Sequence, residues 1–233
     1  MRILVAMEAL VEYVQQELAA RADPTKAPQM AAYLKTDMPF YGVQTPARRE
    51  VARQLNVRFV PQTADEYRSM VETLWGLPHR EEKYLAIGVA THHRSFVTFE
   101  QVDLYRKLIV EGAWWDFVDS IASDLIGGIL RNERQQMRPV LDEWIDGSDM
   151  WLRRTAIISQ LTHKAETDSD MLFDYCRRRA FEMEFFIRKA IGWALRQYAR
   201  TDPEAVIAFL LEHRAELSGL SFREAAKHLS LEP

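Results

Sequence analysis

The segments WLRRTAI (Trp151–Ile157) and FFIRKAI (Phe185–Ile191) share a pattern that ends in a small residue followed by an aliphatic one. Small residues recur in similar contexts at spacings of 34, 34, 36, 34 and 35 residues: Ala52, Ala86, Ser120, Ala156, Ala190 and Ala225. Another stretch of helical pattern precedes each copy, and no segment shows convincing strand alternation. A period near 35 residues with two helices per unit predicts an all-α solenoid of about six helix pairs, since such units bury their apolar faces by stacking. An irregular helical bundle is the alternative, but it would not require so even a spacing.

Local start signals support this division into helices. Asp149 stands directly before the WLRRTAI helix, and Ser221 stands near the start of the last repeat helix. Aspartate and serine are preferred N-cap residues because their side-chain oxygens accept hydrogen bonds from free backbone N–H groups. We therefore expect Asp149 and Ser221 to begin their helices, and we treat residues 1–233 as one domain.

The composition narrows the class of protein. Of 233 residues, 48% are hydrophobic and 27% are charged, which is an ordinary globular balance. The single cysteine, Cys176, excludes an internal disulfide and cysteine-rich zinc binding, and no stretch reaches the roughly 20 apolar residues of a membrane span. Glu8 and Glu12 interrupt the N-terminal apolar run, so we interpret it as an amphipathic helix and not as a signal peptide. These features favour a reduced, cytoplasmic setting.

Four residues that a helical core does not explain share one side of the repeat. With the small residue of each second helix as the origin and about 100° per residue, Trp115, Asp119, Arg154 and Trp193 fall on an arc of about 140° opposite the packing face. They come from three consecutive units. In a solenoid, the same face of successive second helices forms one concave surface. The repeat therefore predicts that two indoles, a carboxylate and a guanidinium converge on one patch.

Cations collect on the same arc late in the chain. The net charge of the protein is −4, which argues mildly against nucleic acid, but residues 150–200 hold ten Lys and Arg against six Asp and Glu. The cations on the arc are Arg154, Arg188, Lys189, Arg196, Arg200, Arg223 and Lys227. Glu50 and Glu224 lie there too and weaken the pattern. A basic groove that contains aromatic side chains suits a phosphate backbone with an exposed sugar or base.

Each of these residues also has a purely structural interpretation. A tryptophan on a helix is usually part of the core, and we expect this of Trp75, Trp114 and Trp144. Asp119 could be solvated or could pair with a neighbouring arginine, and Arg154 and Arg188 could be surface charges. Only the convergence of four such residues on one arc favours a functional site.

At these residues the chain resembles the AlkD-type DNA alkylation repair glycosylases. The matching stretches are WWDFVDSI (Trp114–Ile121), DMWLRRTAI (Asp149–Ile157) and FFIRKAIGWALRQYAR (Phe185–Arg200), with looser matches at Met30–Arg49 and Leu220–Leu229. The resemblance implies a HEAT-like solenoid with a concave DNA-binding face. It also implies that Trp115, Asp119, Arg154 and Trp193 form the catalytic site and that Tyr33 approaches DNA. Thr162, where the resemblance leads us to expect a basic residue, and the acidic overall charge depart from the pattern.

The resemblance implies hydrolysis of the N-glycosidic bond of alkylated purines in duplex DNA. A purine alkylated at N3 or N7 is cationic and departs neutral, so no general acid is needed, whereas sugar hydrolases typically use two carboxylates. Asp119 could then stabilise an oxocarbenium-like sugar and orient water, the two indoles could face the cationic nucleotide, and Arg154 could hold a phosphate. The resemblance further implies little or no extrusion of the target base.

We expect no metal, no cofactor and no membrane association, and we expect a monomer. Two other functions remain open from the sequence. One is a non-catalytic DNA-binding or damage-sensing protein on the same scaffold. The other is a protein-binding solenoid, which would be expected to carry acidic or apolar anchors on its concave face.

Overall fold

The structure is a computed structural model that describes residues 2–231, and these residues fold into helices and connecting turns without a β-strand. The all-α prediction is therefore confirmed. Packing divides the chain into two compact units, which meet in sequence between Val97 and Thr98. The prediction of one domain over residues 1–233 stays a prediction, and each unit is described by itself.

The first unit contains five helices. They are α1 (Arg2–Ala19), α2 (Ala27–Leu34), α3 (Thr45–Arg58), α4 (Ala64–Gly76) and α5 (Arg80–His92), followed by a 3-10 turn at Arg94–Phe96. Helices α3 and α5, which carry the repeat residues Ala52 and Ala86, pack against each other. A Cβ added to Gly88 on α5 would lie 4.0 Å from the Cβ of Ala52, which is an ordinary van der Waals contact.

A buried carboxylate fixes the loop between α2 and α3. The side chain of Glu81 accepts hydrogen bonds from the backbone N–H groups of Tyr41 (3.1 Å), Gly42 (2.9 Å) and Val43 (3.0 Å). Gly42 has a φ of +86°, a conformation that a residue with a Cβ rarely adopts. Glu81 thus holds the chain that connects α2, which carries Tyr33, to α3.

The second unit begins with a 3-10 turn at Phe99–Gln101 and continues as paired helices. They are α6 (Val102–Gly112), α7 (Trp115–Ser120), a π-helical turn (Ile121–Ile126), α8 (Gly127–Asn132), α9 (Arg134–Asp146), α10 (Met150–Ile158), a 3-10 turn (Lys164–Glu166), α11 (Ser169–Arg178), α12 (Phe185–Tyr198), α13 (Pro203–Glu212) and α14 (Gly219–Ala226). The π-helical turn packs against α10, α10 against α12, and α12 against α14. The π-helical turn directly follows the repeat residue Ser120, and α10, α12 and α14 carry Ala156, Ala190 and Ala225, so the predicted stacking of repeat units is confirmed here.

Small residues allow these helices to pack closely. Ala156, Ala190 and Ala225 are buried, as are the residues that follow them. A Cβ on Gly192 would lie 2.4 Å from the Cβ of Glu224 and 2.9 Å from the backbone oxygen of Ser221. Helices α12 and α14 therefore meet at a distance that only glycine permits, and their register is fixed.

One of the two expected helix caps is present and the other is wrong. The Asp149 side chain accepts hydrogen bonds from the backbone N–H groups of Trp151 (2.8 Å) and Leu152 (2.9 Å) and caps α10. Helix α14 is capped by Ser218, which accepts from the N–H of Ser221. The Ser221 hydroxyl instead donates to the backbone oxygen of Arg188 (3.0 Å), because it lies inside the helix and faces α12.

Candidate active site

The centre of the candidate site is an ion pair between α7 and α10. The Nε of Arg154 donates to Oδ1 of Asp119 and its Nη2 donates to Oδ2, both at 2.8 Å. This is a bidentate pair, the strongest arrangement of an arginine with a carboxylate. The side chain of Arg154 is 5% exposed and that of Asp119 is 17% exposed. The carboxylate therefore retains a limited opening to solvent, while its orientation is fixed from behind.

This placement differs from the expectation that Arg154 holds a DNA phosphate. The remaining terminal nitrogen, Nη1, donates to the backbone oxygen of Phe186 at 2.6 Å. A buried guanidinium whose Nε and both terminal nitrogens are hydrogen-bonded within the protein is poorly placed to bind an external anion. Arg154 positions Asp119 and joins α7, α10 and the start of α12.

An aromatic cluster lies beside this pair. The ring of Phe186 is 4.9 Å from that of Trp151 and 5.4 Å from that of Trp114, and the Arg154 guanidinium lies 5.8 Å from the Phe186 ring. Trp151 is buried and Trp114 is partly buried, so the expectation of a core role for Trp114 is met only in part. The other two tryptophans expected in the core, Trp75 and Trp144, are buried.

The surroundings alter the acidity of the candidate carboxylate. Burial raises the pKa of the Asp119 carboxyl above its ordinary value, the hydrogen bonds and positive charge of Arg154 lower it, and the nearby Asp116 raises it slightly. Burial is the largest of these influences, so the carboxyl takes up a proton at a higher pH than a solvated aspartate. A buried carboxyl whose pKa is raised beside a specific charged partner is a candidate functional group.

A π-helical turn directly after Asp119 is a feature that the sequence analysis missed. Over Ile121–Ile126 the helix widens, and the Ser123 hydroxyl donates to the backbone oxygen of Asp119 at 2.8 Å. The Nε2 of the buried His163 lies 2.9 Å from the backbone oxygen of Gly127, just after the turn. π-Helical turns are rare in proteins, and those that occur often lie at functional sites. No residue pattern in this chain announces the turn.

The two tryptophans of the predicted site are partly buried. Trp115 opens α7 and lies one helical turn before Asp119, so both project from the same side of that helix. Trp193 lies on α12, which packs against α10, the helix of Arg154. The structure thus places Trp115, Asp119 and Arg154 on adjoining or shared helices and Trp193 on the next helix along.

The predicted cationic residues fall into two groups. Lys189 and Arg196 are engaged by one acid, Glu224, at 2.9 Å and 2.7 Å, and Arg188 is partly buried. By contrast, Arg200, Arg223 and Lys227 are exposed. Glu224 therefore neutralises part of the positive charge that the sequence predicted on this face. The exposed cations lie toward the end of the second unit.

Tyr33, the last residue predicted to contact DNA, lies outside the second unit. Tyr33 lies on α2 of the first unit and is 75% exposed. Over residues 2–231, no three His, Cys, Asp or Glu side chains cluster as a metal site would require. Within the same residues, no helix combines the length and apolar character needed to cross a membrane.

The sequence and the structure are both similar to those of DNA alkylation repair proteins. Residues 14–229 match the model of the family described as DNA alkylation repair enzyme. A solved structure described as a predicted DNA alkylation repair enzyme from Enterococcus faecalis is 29% identical, with a TM-score of 0.83 over 91% of this chain and 98% of that one. The structure of AlkD2 from Streptococcus mutans is 14% identical, with a TM-score of 0.65 over 88% and 99% of the two chains, and it supports the fold alone. No curated protein matches the sequence.

Proposed function

Because this chain belongs to the DNA alkylation repair enzyme family, we propose that it is a DNA glycosylase that hydrolyses the N-glycosidic bond of cationic N3- or N7-alkylpurines in duplex DNA. The observation that carries this proposal is the Asp119 carboxylate, which is held bidentately by Arg154 and still partly open to solvent. The proposal also rests on the absence of any need for a second acid in this reaction.

The chemistry requires one well-placed negative charge. When the C1′–N bond of an alkylpurine breaks, the bonding electrons leave with the base, which becomes neutral, and the sugar develops positive charge. Water adds to C1′ and loses a proton to the carboxylate or to solvent, which leaves an abasic sugar. Ionised Asp119 stabilises the developing cation electrostatically and orients the water, and this stabilisation is larger in a partly buried site than in bulk water.

The neighbouring residues take distinct roles in this proposal. Arg154 fixes the carboxylate orientation and helps to keep it ionised, while an ionised carboxylate retains lone pairs beyond the two that Arg154 engages. Trp115 and Trp193 offer indole faces to a cationic nucleotide. The exposed Arg200, Arg223 and Lys227 contact the phosphate backbone and Tyr33 approaches the duplex. Double-stranded DNA is accordingly the proposed partner.

The test is release of free base from methylated duplex DNA. We expect wild-type protein to release 3-methyladenine or 7-methylguanine, and we expect Asp119→Asn to reduce the rate by about 10²-fold or more, as for removal of a group that stabilises transition-state charge. Asp116→Asn is the matched control, because Asp116 is an acid on the same helix; it should retain most activity. Release of base by Asp119→Asn at the wild-type rate would contradict the carboxylate's role. If the wild type bound DNA but released no base, the function would be damage binding without catalysis.

A further inference from the structure

An unusual run of exposed apolar side chains precedes and begins α12. In the sequence FEMEF, Phe181, Met183 and Phe185 are 71%, 79% and 53% exposed. Single exposed apolar residues are common on protein surfaces, but three large ones within five residues are not, and concentrations of exposed apolar surface generally mark interaction sites. We call these three residues the apolar ledge.

The exposure does not come from a loosely held segment. Glu182, between two ledge residues, turns inward and pairs with Arg153 at 2.9 Å, and the two side chains are only 10% and 11% exposed. Arg179 also reaches Glu182 at 3.5 Å and pairs with Asp146 at 2.5 Å. The usual arrangement is therefore inverted, because the acid is drawn inward while its apolar neighbours face solvent. Ion pairs hold the ledge in this presentation.

The ledge adjoins the candidate active site. The ring of Phe185 contacts that of Phe186 edge to face, with centroids 5.4 Å apart. The backbone oxygen of Phe186 is the group that accepts the third hydrogen bond of Arg154, which holds Asp119. The ledge therefore begins one residue away from the support of the candidate catalytic carboxylate.

The charges near the ledge favour a polyanion over an apolar protein surface. Arg188 and Lys189 follow Phe185 by three and four residues on α12 and are partly exposed. Lys189 shares Glu224 with Arg196, so cations outnumber acids at that contact. Glu184, which is exposed, is the acid that opposes this pattern.

We propose that the apolar ledge packs against the sugar edges and base steps of duplex DNA beside the alkylated nucleotide. The identity of the ligand as DNA rests on the proposed function. Phenylalanine and methionine are among the side chains that proteins place against base steps in the minor groove. The ledge would add affinity next to the lesion without a phosphate contact, and so without added dependence on salt.

The experiment measures binding to duplex DNA that contains a stable tetrahydrofuran abasic-site analogue, by fluorescence anisotropy at several salt concentrations. We expect Phe185→Ala and Met183→Ala each to weaken binding by up to about tenfold, as for loss of one partly buried apolar contact. The slope of log affinity against log salt should stay unchanged, because no phosphate contact is lost. Leu211→Ala is the matched control, because Leu211 on α13 is 59% exposed and lies outside the ledge; its affinity should equal that of wild type. The thermal midpoint of each variant should equal that of wild type, since the side chains removed are exposed.

The outcomes separate this inference from the proposed function. If wild type releases base while both ledge variants bind within twofold of it, the ledge inference is overturned and the glycosylase stands. If wild type binds DNA without releasing base while the ledge variants bind more weakly at an unchanged salt slope, the ledge is supported and the glycosylase fails. Loss of affinity with a reduced salt slope would overturn the inference by assigning the effect to displaced cations. Failure of wild type to bind DNA at all would overturn both proposals.

Discussion

The burial of the Asp119–Arg154 pair predicts a strong energetic coupling between the two side chains. Exposed ion pairs couple weakly, typically by about 0.2–1 kcal/mol, because water and salt screen them. For charges about 4 Å apart at an effective dielectric constant near 20, the attraction is about 4 kcal/mol. Because Asp119 remains 17% exposed, part of this attraction is screened, and we expect a coupling of about 2–4 kcal/mol.

A double-mutant cycle measures this coupling. The free energy of unfolding in urea would be compared at about pH 7.5 for wild type, Asp119→Asn, Arg154→Met and the double variant. We expect each single variant to lose about 2–4 kcal/mol, since each leaves a buried partner without its full complement of interactions. The double variant should lose less than the sum of the two, because methionine and asparagine leave no isolated charge.

Acidification provides an internal check on the same variants. Without Arg154, the carboxyl of Asp119 loses the influence that lowers its pKa, while burial still raises it. A raised native pKa means that the folded state binds more protons, so this contribution to stability is present at low pH and is lost as the pH rises through the native pKa. The free energy of unfolding that Arg154→Met loses relative to wild type should therefore become smaller as the pH falls toward about 5. A coupling below about 0.5 kcal/mol, with a deficit independent of pH, would refute the buried pair.

Three further predictions follow from the site and its supports. In base release, the acid limb of the pH profile should lie above that of a solvated aspartate, because the rate requires ionised Asp119 and burial raises its pKa; Arg154→Gln should move the limb to still higher pH. Gly127→Ala should lower the free energy of unfolding by about 1–3 kcal/mol, because the new Cβ would lie 2.3 Å from the backbone oxygen of Ser159. Gly76→Ala is the control and should be neutral or stabilising, because a Cβ there would meet nothing within 4 Å. Urea unfolding of the two variants measures the difference. Asp149→Ala should cost about 1 kcal/mol in the same assay through loss of the α10 cap, and an unchanged midpoint would contradict that assignment.

The sequence predicts well from which side of its helix a residue projects, and it predicts poorly how deeply that residue is buried. The spacing of the small residues predicted which helices stack, because helix periodicity fixes the side from which each residue projects. Burial depends on what the neighbouring units contribute, and the repeat does not encode this. Arg154 was expected to face a phosphate, yet Asp119 and the backbone oxygen of Phe186 engage it, and Phe186 stacks beside it.

Local chemistry was similarly incomplete as a guide. Ser218 and Ser221 are both suitable capping residues, and only the position of the chain before α14 selects Ser218. The π-helical turn after Asp119 has no side-chain signature in the sequence; in the structure the Ser123 hydroxyl donates to the backbone oxygen of Asp119, and His163 contacts the backbone oxygen of Gly127 beside the turn. Both cases concern backbone hydrogen bonds that are settled by tertiary contacts and not by residue type.

The repeat register explains why one arginine of three is buried in an ion pair. Arg154, Arg188 and Arg223 all lie two residues before the small residue of their helices, yet Arg154 is buried, Arg188 is partly buried and Arg223 is exposed. The difference lies one unit earlier, in the residue just before the small residue there. For Arg154 that residue is Asp119, for Arg188 it is Thr155, and for Arg223 it is Lys189. Only the first offers a carboxylate, so only Arg154 can be buried at acceptable cost, since a buried guanidinium without an acid would be strongly destabilising. The pairing that orients Asp119 is thus a property of one junction between repeats, and of the three arginines in this register Arg223 is the one that is exposed.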